Sequence, residues 1–284
     1  MLNRCQHLGG YQKMSVGRSK ITPFKQQDLQ LLFKDLLYKT ECVFNKHSKK
    51  DWLDKTFHLF DVTAGDAIDN LTSPIIFLDK LLLHEGLDFE ATFIEKDKKS
   101  FSLLKKNLKK YISRIVFLDD KDYFRINVSL KYDKSENILP SLLSKSSAKY
   151  GLLYCDMNGY TQSLWNSIIE VTKKQKYLDV LINFSSVTLL RNMGVKKVKG
   201  FKKYNKNLSQ LIDQICLYKN SVYIRDVIKE EPSTANKWKF IMLFCTNFDN
   251  YNLNKLKYKF VPVNSQKGQK IINLLMKKGE KNGH

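Results

Sequence analysis

Two hydrophobic patterns alternate along this chain. Short apolar runs that end in small or acidic residues, typical of buried parallel strands, occur in HLFDVTAGD at 58–66, TFIEKD at 92–97 and GLLYCDMNG at 151–159. Between them lie segments whose apolar residues recur every three or four positions, as on one face of a helix. The carboxyl ends of parallel strands line the ligand crevice of an open α/β sheet. The three clusters therefore predict a crevice for a nucleotide-type cofactor, with the third cluster supplying the chemistry.

The predicted elements form a strand–helix series that follows an N-terminal helix starting near Gln27. Strands are expected at about 57–63, 91–95, 123–133, 150–156 and 178–184, and helices at about 73–84, 98–111, 163–175 and 208–219. Two further strands, at 221–228 and 237–247, have no helix between them. They are expected to form a hairpin, so the last strand runs antiparallel to the rest of the sheet.

Neither an internal repeat nor a Pro-, Gly- or Ser-rich linker divides the chain. Residues 1–50 are predicted to form a basic arm and a helical extension, and residues 51–284 to form one α/β domain. No stretch is long and apolar enough to span a bilayer, and no hydrophobic signal segment is evident. We therefore expect no membrane contact and a cytoplasmic location.

Net charge adds a partner to this picture. Lys and Arg number 49 against 28 Asp and Glu, which gives +21 and favours a polyanionic partner. The alternative is a lysine-rich composition of the kind that AT-rich genomes encode. The five cysteines and five histidines lack the spacing of a metal site, so no metal is expected.

The order of elements, from about residue 57 to 247, resembles the class I S-adenosylmethionine-dependent methyltransferases. Locally, the chain is most similar to the three-Cys-motif partner group in TSPIIFLDKLL, FIEKDKKSFSLLKKNL, GLLYCDMNG and DVLINFSSVTLLR, although the basic and histidine opening of that group is absent. The resemblance implies an α/β, Rossmann-like fold with a mostly parallel seven-stranded sheet whose last strand is antiparallel, plus the N-terminal helical extension. It also implies S-adenosylmethionine as the cofactor.

The resemblance implies that the turn after the first strand approaches the cofactor. Within DVTAGDA, Ala64 and Gly65 let the backbone turn sharply and approach the cofactor without a Cβ clash. Asp61, at the strand end, could accept a hydrogen bond from the amino group of the cofactor. The alternative is an ordinary tight turn between a strand and a helix. The dinucleotide pattern GxGxxG is absent, which disfavours a dehydrogenase.

Two more acids are expected to complete the cofactor site. Glu95 ends the second strand and is placed to receive both ribose hydroxyls; alternatively it is a solvated acid that pairs with Lys96 or Lys99. For the adenine amino group the candidates are Asp119 and Asp133. Asp133 is preferred because it ends the strand with the clearer alternation, while either could be a surface loop charge.

The catalytic candidate is Asp156 in YCDMNGY. Methyltransferases that act on exocyclic amino groups of bases typically have an Asp or Asn, two prolines and an aromatic residue here; this chain has the acid, then Met157, Asn158 and Gly159, with Tyr160 one position late. A carboxylate and a backbone carbonyl can accept the hydrogens of the amino group while its lone pair attacks an in-line methyl group. Asp156 and Asn158 would orient the acceptor, and an aromatic ring such as that of Tyr160 would stack on an extruded base. The alternatives are a contact in a methyltransferase for other acceptors, or a silent site.

A basic segment follows the predicted catalytic edge. VKKVKGFKKYNK at 195–206 interleaves lysines with Phe201 and Tyr204, which suits a phosphate backbone and stacking on an exposed base. The alternative is a solvated loop. Basic residues of the N-terminal arm, Lys25 among them, could clamp the same polyanion. The predicted nucleic-acid contacts are Arg191, Lys196, Lys197, Lys199, Lys202 and Lys203.

The pattern as a whole favours an S-adenosylmethionine-dependent methyltransferase that acts on DNA or RNA, with an exocyclic base nitrogen as the preferred acceptor. A second hypothesis is a non-catalytic nucleic-acid-binding or assembly subunit that keeps the fold with a decayed fourth motif. A third is a methyltransferase for protein or small-molecule substrates. Nucleic acid is thus the expected partner; a protein partner and the oligomeric state are left open.

Overall fold

The strands and helices alternate as the sequence pattern predicts. The computed structural model describes residues 22–46, 56–82, 84, 87–116, 126–142, 149–157, 161–185, 208–225, 240–248 and 260–280. The helices are α1 (Thr22–Lys46), α2 (Ser73–Leu82), α3 (Lys98–Val116), α4 (Ser135–Leu142), α5 (Gln162–Lys174), α6 (Leu208–Cys216) and α7 (Gln266–Glu280). The strands are β1 (Thr56–Asp61), β2 (Asp88–Glu95), β3 (Ile126–Tyr132), β4 (Tyr150–Met157), β5 (Leu178–Ser185), β6 (Ser221–Arg225), β7 (Phe240–Thr246) and β8 (Phe260–Pro262).

The strands form one sheet in the order β3-β2-β1-β4-β5-β7-β6-β8. The pairs among β1 to β5 are parallel, whereas β7 lies between β5 and β6 and is antiparallel to both. This confirms the predicted Rossmann-like fold with its antiparallel insertion. The three-residue strand β8 was not predicted; it extends the sheet by pairing antiparallel with β6.

Each face of the sheet is covered by a layer of helices. Alternate residues of a strand point to opposite faces, so Phe57 and Leu59 of β1 pack on one side and Phe60 on the other. The first face packs against α1, α2 and α3, and the second against α4, α5, α6 and α7. Because both faces are covered, the strands read as continuous apolar runs.

Helix α1 belongs to the core of the first face. Leu29, Leu32, Phe33 and Leu36, which the pattern predicted on one helix face, are all buried there. The Phe33 ring makes edge contacts with two other core rings, those of Phe57 at 5.8 Å and of Phe77 at 4.7 Å between centroids. The boundary proposed at residue 50 lies outside the described residues and stays a prediction.

Gly151, in the second position of β4, is required by the close packing of β1 on β4. Its φ of +151° and its position leave no room for a side chain, because a Cβ would lie 1.8 Å from the carbonyl oxygen of His58. We expect Gly151→Ala to lower the free energy of unfolding by about 3 kcal/mol or more, measured by urea denaturation.

Gly65→Ala is the matched control for this substitution. Gly65 also has a positive φ, +71°, but no atom lies within 4 Å of a Cβ built there. Its alanine variant therefore carries only the backbone penalty, about 1–2 kcal/mol. Equal losses in the two variants would show that steric contact with β1 is unimportant.

Candidate functional site

Acidic residues converge where parallel strands end. Asp61 ends β1, Glu95 ends β2, and Asp156 is the penultimate residue of β4. Since these strands are parallel neighbours, their carboxyl ends lie on the same edge of the sheet. The clusters that the apolar runs predicted therefore meet at one edge.

The turn after β1 is tied to both neighbouring strands. The amide of Val62 donates to the carbonyl of Tyr154 in β4 at 3.0 Å, and the amide of Ala64 donates to the carbonyl of Ile94 in β2 at 3.1 Å. Gly65 follows in the left-handed conformation, which suits glycine. An ideal Cβ at this glycine would meet open space, so the backbone here is accessible to a ligand.

Asp61 lies beneath this turn and is fully buried. One carboxylate oxygen accepts the Thr63 amide at 3.1 Å, and the other accepts the Ser73 hydroxyl at 2.6 Å. Burial, more than the nearby acids, raises the pKa of Asp61 to about 7. The hydrogen bond expected from a cofactor amino group stays a prediction; in this geometry both oxygens of Asp61 already hold the turn from within.

Glu95 joins the end of β2 to the same turn. One of its carboxylate oxygens accepts the Gly65 amide at 2.9 Å, and the other accepts the Asp97 amide at 2.7 Å. Each carboxylate oxygen has a second lone pair, so this half-buried group can still accept ribose hydroxyls. Its contact with Gly65, thirty positions away, links two residues that the sequence analysis assigned to one cofactor.

Asp133 lies at the rim of this edge, directly after β3. It is exposed, and it accepts the Lys134 amide at 2.6 Å and the Asn137 side-chain amide at 2.9 Å. The hydroxyl of the next residue but one, Ser135, donates to the carbonyl of Val62 and so ties this rim to the glycine turn. The alternative candidate, Asp119, lies outside the described residues.

Asp156 is held by three neighbours at the end of β4. Its carboxylate forms an ion pair with the Lys25 ammonium and accepts the Asn183 side-chain amide at 2.7 Å. Its backbone amide donates to the Thr63 hydroxyl at 2.7 Å. The side chain keeps 20% of its surface exposed, so the carboxylate is oriented and still accessible.

Lys25 is the residue whose place the sequence analysis missed. It was expected to clamp a polyanion as part of a basic arm, yet its ammonium points inward to Asp156 and only 14% of its side chain is exposed. Its position one turn before the buried Leu29 was the available signal, because a charge next to an apolar helix face often lies close to the core. Asn183 is the in-register neighbour of Asp156 on β5, which places its side-chain amide beside the carboxylate.

A second ion pair fixes the same end of α1. The Arg225 guanidinium, at the end of β6, contacts the Asp28 carboxylate, with 8% and 17% of the two side chains exposed. Helix α1 is therefore attached to the sheet edge at both β4 and β6. This attachment places the start of α1 beside the carboxyl ends of β4 and β6.

Several predicted site residues lie outside the part of the chain that the structure describes. They are Asn158, Tyr160, Arg191, Lys196, Lys197, Lys199, Lys202 and Lys203. Within the described ranges, no group of His, Cys, Asp and Glu side chains could hold a metal ion. No helix in those ranges is long and apolar enough to cross a membrane.

The chain resembles known proteins in its structure and not in its sequence. No family model matches the chain, and no curated protein matches it. A Legionella pneumophila protein has 12% identity and a TM-score of 0.47, over 79% of this chain and 89% of its own. The small RNA methyltransferase HEN1 has 10% identity and a TM-score of 0.43, over 80% of this chain but 28% of its own. The METTL16 methyltransferase domain has 15% identity and a TM-score of 0.40, over 79% and 83%.

The raised pKa of Asp61 predicts a pH dependence of stability. Its folded pKa of about 7 exceeds the ordinary value of 3.8, so the folded state binds the proton more tightly. The stabilisation that the protonated Asp61 side chain contributes is fully present below about pH 4 and is lost as the pH rises through about 7. We expect Asp61→Asn to remove this loss, on the order of a few kcal/mol.

The measurement is urea denaturation of the wild type and of Asp61→Asn between pH 4 and 8. Asparagine keeps an acceptor for Thr63 and can donate to the Ser73 hydroxyl, so the variant should fold. Titrating groups that do not interact with Asp61 contribute equally to both proteins and cancel in the difference. Parallel stability curves for the two proteins would contradict the raised pKa.

Proposed function

We propose that the protein is an S-adenosylmethionine-dependent methyltransferase that acts on nucleic acid, with an exocyclic base nitrogen as the preferred acceptor. The observation that carries this proposal is Asp156. Its accessible carboxylate lies at the end of a buried parallel strand, beside the glycine turn, and both of its oxygens are fixed by Lys25 and Asn183. An oriented acid at this edge of the sheet is suited to chemistry rather than to stability.

The residues around the glycine turn fit the cofactor. Backbone at Gly65 is open to a ligand, and Glu95 offers carboxylate oxygens to ribose hydroxyls within reach of that backbone. Asp133 lies at the rim, where an adenine amino group could donate to it. When bound, S-adenosylmethionine supplies a methyl group activated by a positively charged sulfur. A crevice edge that carries three acids is electrostatically suited to that charge.

Asp156 would orient the acceptor. Lys25 donates to one oxygen of the Asp156 carboxylate and Asn183 donates to the other. Each oxygen has a second lone pair that can accept a further hydrogen bond. An amino group that donates there would keep its lone pair free to attack the methyl group, and the proton that it loses on transfer could pass to the carboxylate or to water. Because the carboxylate is already fixed, little reorganisation is needed when charge develops. Asn158 and Tyr160 are proposed to complete the acceptor site.

Nucleic acid is proposed as the acceptor because of charge. The excess of 21 basic residues cannot be balanced within the chain, and phosphate backbones are the polyanions that such surfaces attract. The segment from Lys196 to Lys203, together with Arg191, is proposed to contact the strand that carries the acceptor.

The Lys25–Asp156 ion pair also favours a second candidate function. A lysine that satisfies the site acid from within the fold is what a decayed site would retain, and the residues after Asp156 depart from the base-methyltransferase pattern. The protein would then be a non-catalytic nucleic-acid-binding or assembly subunit. It would bind nucleic acid in a salt-dependent way without methyl transfer.

Titration calorimetry with S-adenosylmethionine tests the cofactor. We expect a micromolar dissociation constant, about −8 kcal/mol in free energy. Glu95→Ala removes a charged acceptor and should weaken binding roughly 10- to 100-fold. Glu95→Gln is the matched control, since it keeps one oxygen for the Gly65 amide and should lose less. Absence of binding to the wild type would exclude the methyltransferase and leave the second candidate.

Transfer of labelled methyl groups tests the roles of Asp156 and Lys25. The acceptors are RNA transcribed in vitro and DNA amplified in vitro, neither of which carries methyl groups added after synthesis. Asp156→Ala should lower the transfer rate by about 100-fold or more while the dissociation constant for the cofactor stays within about threefold. Loss of cofactor binding instead would place Asp156 in the cofactor site.

Lys25 is proposed as a positioning residue, so its variants should separate kcat from KM. Lys25→Met leaves the carboxylate without its cation and should lower kcat about tenfold, with little change in KM for nucleic acid. Lys25→Arg keeps the ion pair and should restore most of the rate. If Lys25→Met raised KM alone, Lys25 would contact substrate rather than orient Asp156.

A further inference from the structure

The outward face of α3 carries lysines and no acid. All of these lysines are exposed, and the sequence of the helix contains neither Asp nor Glu. We call them the lysine face; its members are Lys98, Lys99, Lys105, Lys106, Lys109 and Lys110. The face lies outside the crevice and outside the basic segment at 195–206, so neither the cofactor site nor the acceptor site accounts for it.

Helix geometry arranges the lysine face in two rows. At 3.6 residues per turn, residues 98, 105 and 109 share one line along the helix, and residues 99, 106 and 110 share a second line. Twelve residues of helix span about 18 Å. On the opposite side, Leu104 and Leu108 are buried in the core, so the helix is fixed with both rows toward solvent.

The lysine face is electrostatically unfavourable for the isolated protein. Lys105 and Lys109 are four residues apart, as are Lys106 and Lys110, and each such like-charged pair costs about 0.2–0.5 kcal/mol. Lys98 and Lys99 lie in the first turn, where the helix dipole favours negative charge. The ion pairs recorded for the described residues involve none of these lysines.

Helix α1 shows the contrast. There Asp35 and Lys39 stand four residues apart with opposite charges. Burial raises the pKa of Asp35 and lowers the pKa of Lys39, and the charge of each partner opposes that shift. Lysines and acids are mixed along α1, whereas α3 concentrates one sign of charge. Asp97, directly before α3, offsets part of the charge of Lys99. The sequence of α3 itself holds no acid to offset the other lysines, which makes its outward side a candidate for a functional surface.

We infer that the lysine face is a docking surface for the phosphodiester backbone of nucleic acid. The inference rests on the proposed function, and it extends the contact beyond the acceptor nucleotide. Lys98, the first member of the lysine face, lies three residues after Glu95. The lysine face therefore starts at the rim of the crevice, and the helix carries it away from the rim. A backbone that crosses the rim would meet both rows, and the release of its counterions would offset the repulsion between the lysines.

The chemistry of the lysine face favours nucleic acid over a membrane surface. Its centre is polar: Ser102 and Ser113 are exposed between the rows, and their hydroxyls donate to the carbonyls of Lys98 and Lys109 at 2.9 and 2.8 Å. Helices that bind membranes insert apolar side chains, and the apolar residues Leu104 and Leu108 are already in the core. The partner is therefore a polyanion that needs no apolar contact.

The test compares two variants that each lose four positive charges. The first replaces Lys105, Lys106, Lys109 and Lys110 with Gln. The control replaces Lys34, Lys46, Lys173 and Lys174, which are exposed on α1 and α5. Binding of fluorescein-labelled RNA and DNA duplexes is followed by fluorescence anisotropy over a series of salt concentrations, without cofactor.

The lysine-face variant should bind nucleic acid at least tenfold more weakly than the wild type. The slope of log K against log salt concentration should also fall in magnitude by about 2 to 3, because each lost phosphate contact lowers that magnitude by about 0.9. The control should stay within about threefold of wild type, with a salt slope close to that of wild type. The lysine-face variant should also melt at the same or a higher temperature, because like-charge repulsion is relieved. That result would show that weaker binding is not caused by unfolding.

Other outcomes overturn the inference. An equal loss of nucleic-acid affinity in both variants would show that net charge alone attracts nucleic acid. Unchanged binding by the lysine-face variant would show that this face is not a docking surface, while the proposed function would stand. Loss of binding to vesicles of phosphatidylcholine and phosphatidylserine, with nucleic-acid binding unchanged, would assign the face to lipid. A wild type that binds neither duplex would overturn the nucleic-acid partner as well, whereas cofactor titration decides the cofactor independently.

Discussion

Crowding of acids at the end of a parallel sheet is the constraint on which this site depends. Parallel strands bring Asp61, Glu95 and Asp156 to one edge. Burial raises the pKa of Asp61, and the charges of the other two acids add to that shift. Each acid is accommodated differently. Asp61 is buried with a hydroxyl and an amide, Glu95 accepts two backbone amides, and Asp156 is paired with the Lys25 cation. These three arrangements build the glycine turn and one wall of the crevice.

The Lys25 cation makes helix α1 part of the site as well as part of the core. Its apolar face fills the space beside β1 and α2, while two ion pairs fix its first turns to the ends of β4 and β6. Core packing and site electrostatics thus act on the same helix. A change in the packing of α1 would therefore move the cation that orients Asp156.

Charge is divided between the crevice and the outer surface. Acids are concentrated where the strands end, which suits a cationic cofactor, whereas the outward side of α3 carries only basic charge. Attraction of a polyanion to the outside and of a cation to the crevice can then operate together. The repulsion between lysines along α3 is small beside the stability of a domain, so the fold can tolerate it.

The sequence by itself determined the order of elements, the antiparallel hairpin and the strand ends at which acids gather, because periodicity and apolar runs record local structure and burial. It did not reveal β8, which is three residues long and held by pairing with β6. Nor did it reveal that Asp61 faces inward. Only the tertiary structure decided that Lys25 meets Asp156, 131 positions away. That contact depends on how α1 lies across the sheet edge, and no local pattern of residues encodes where two distant side chains end.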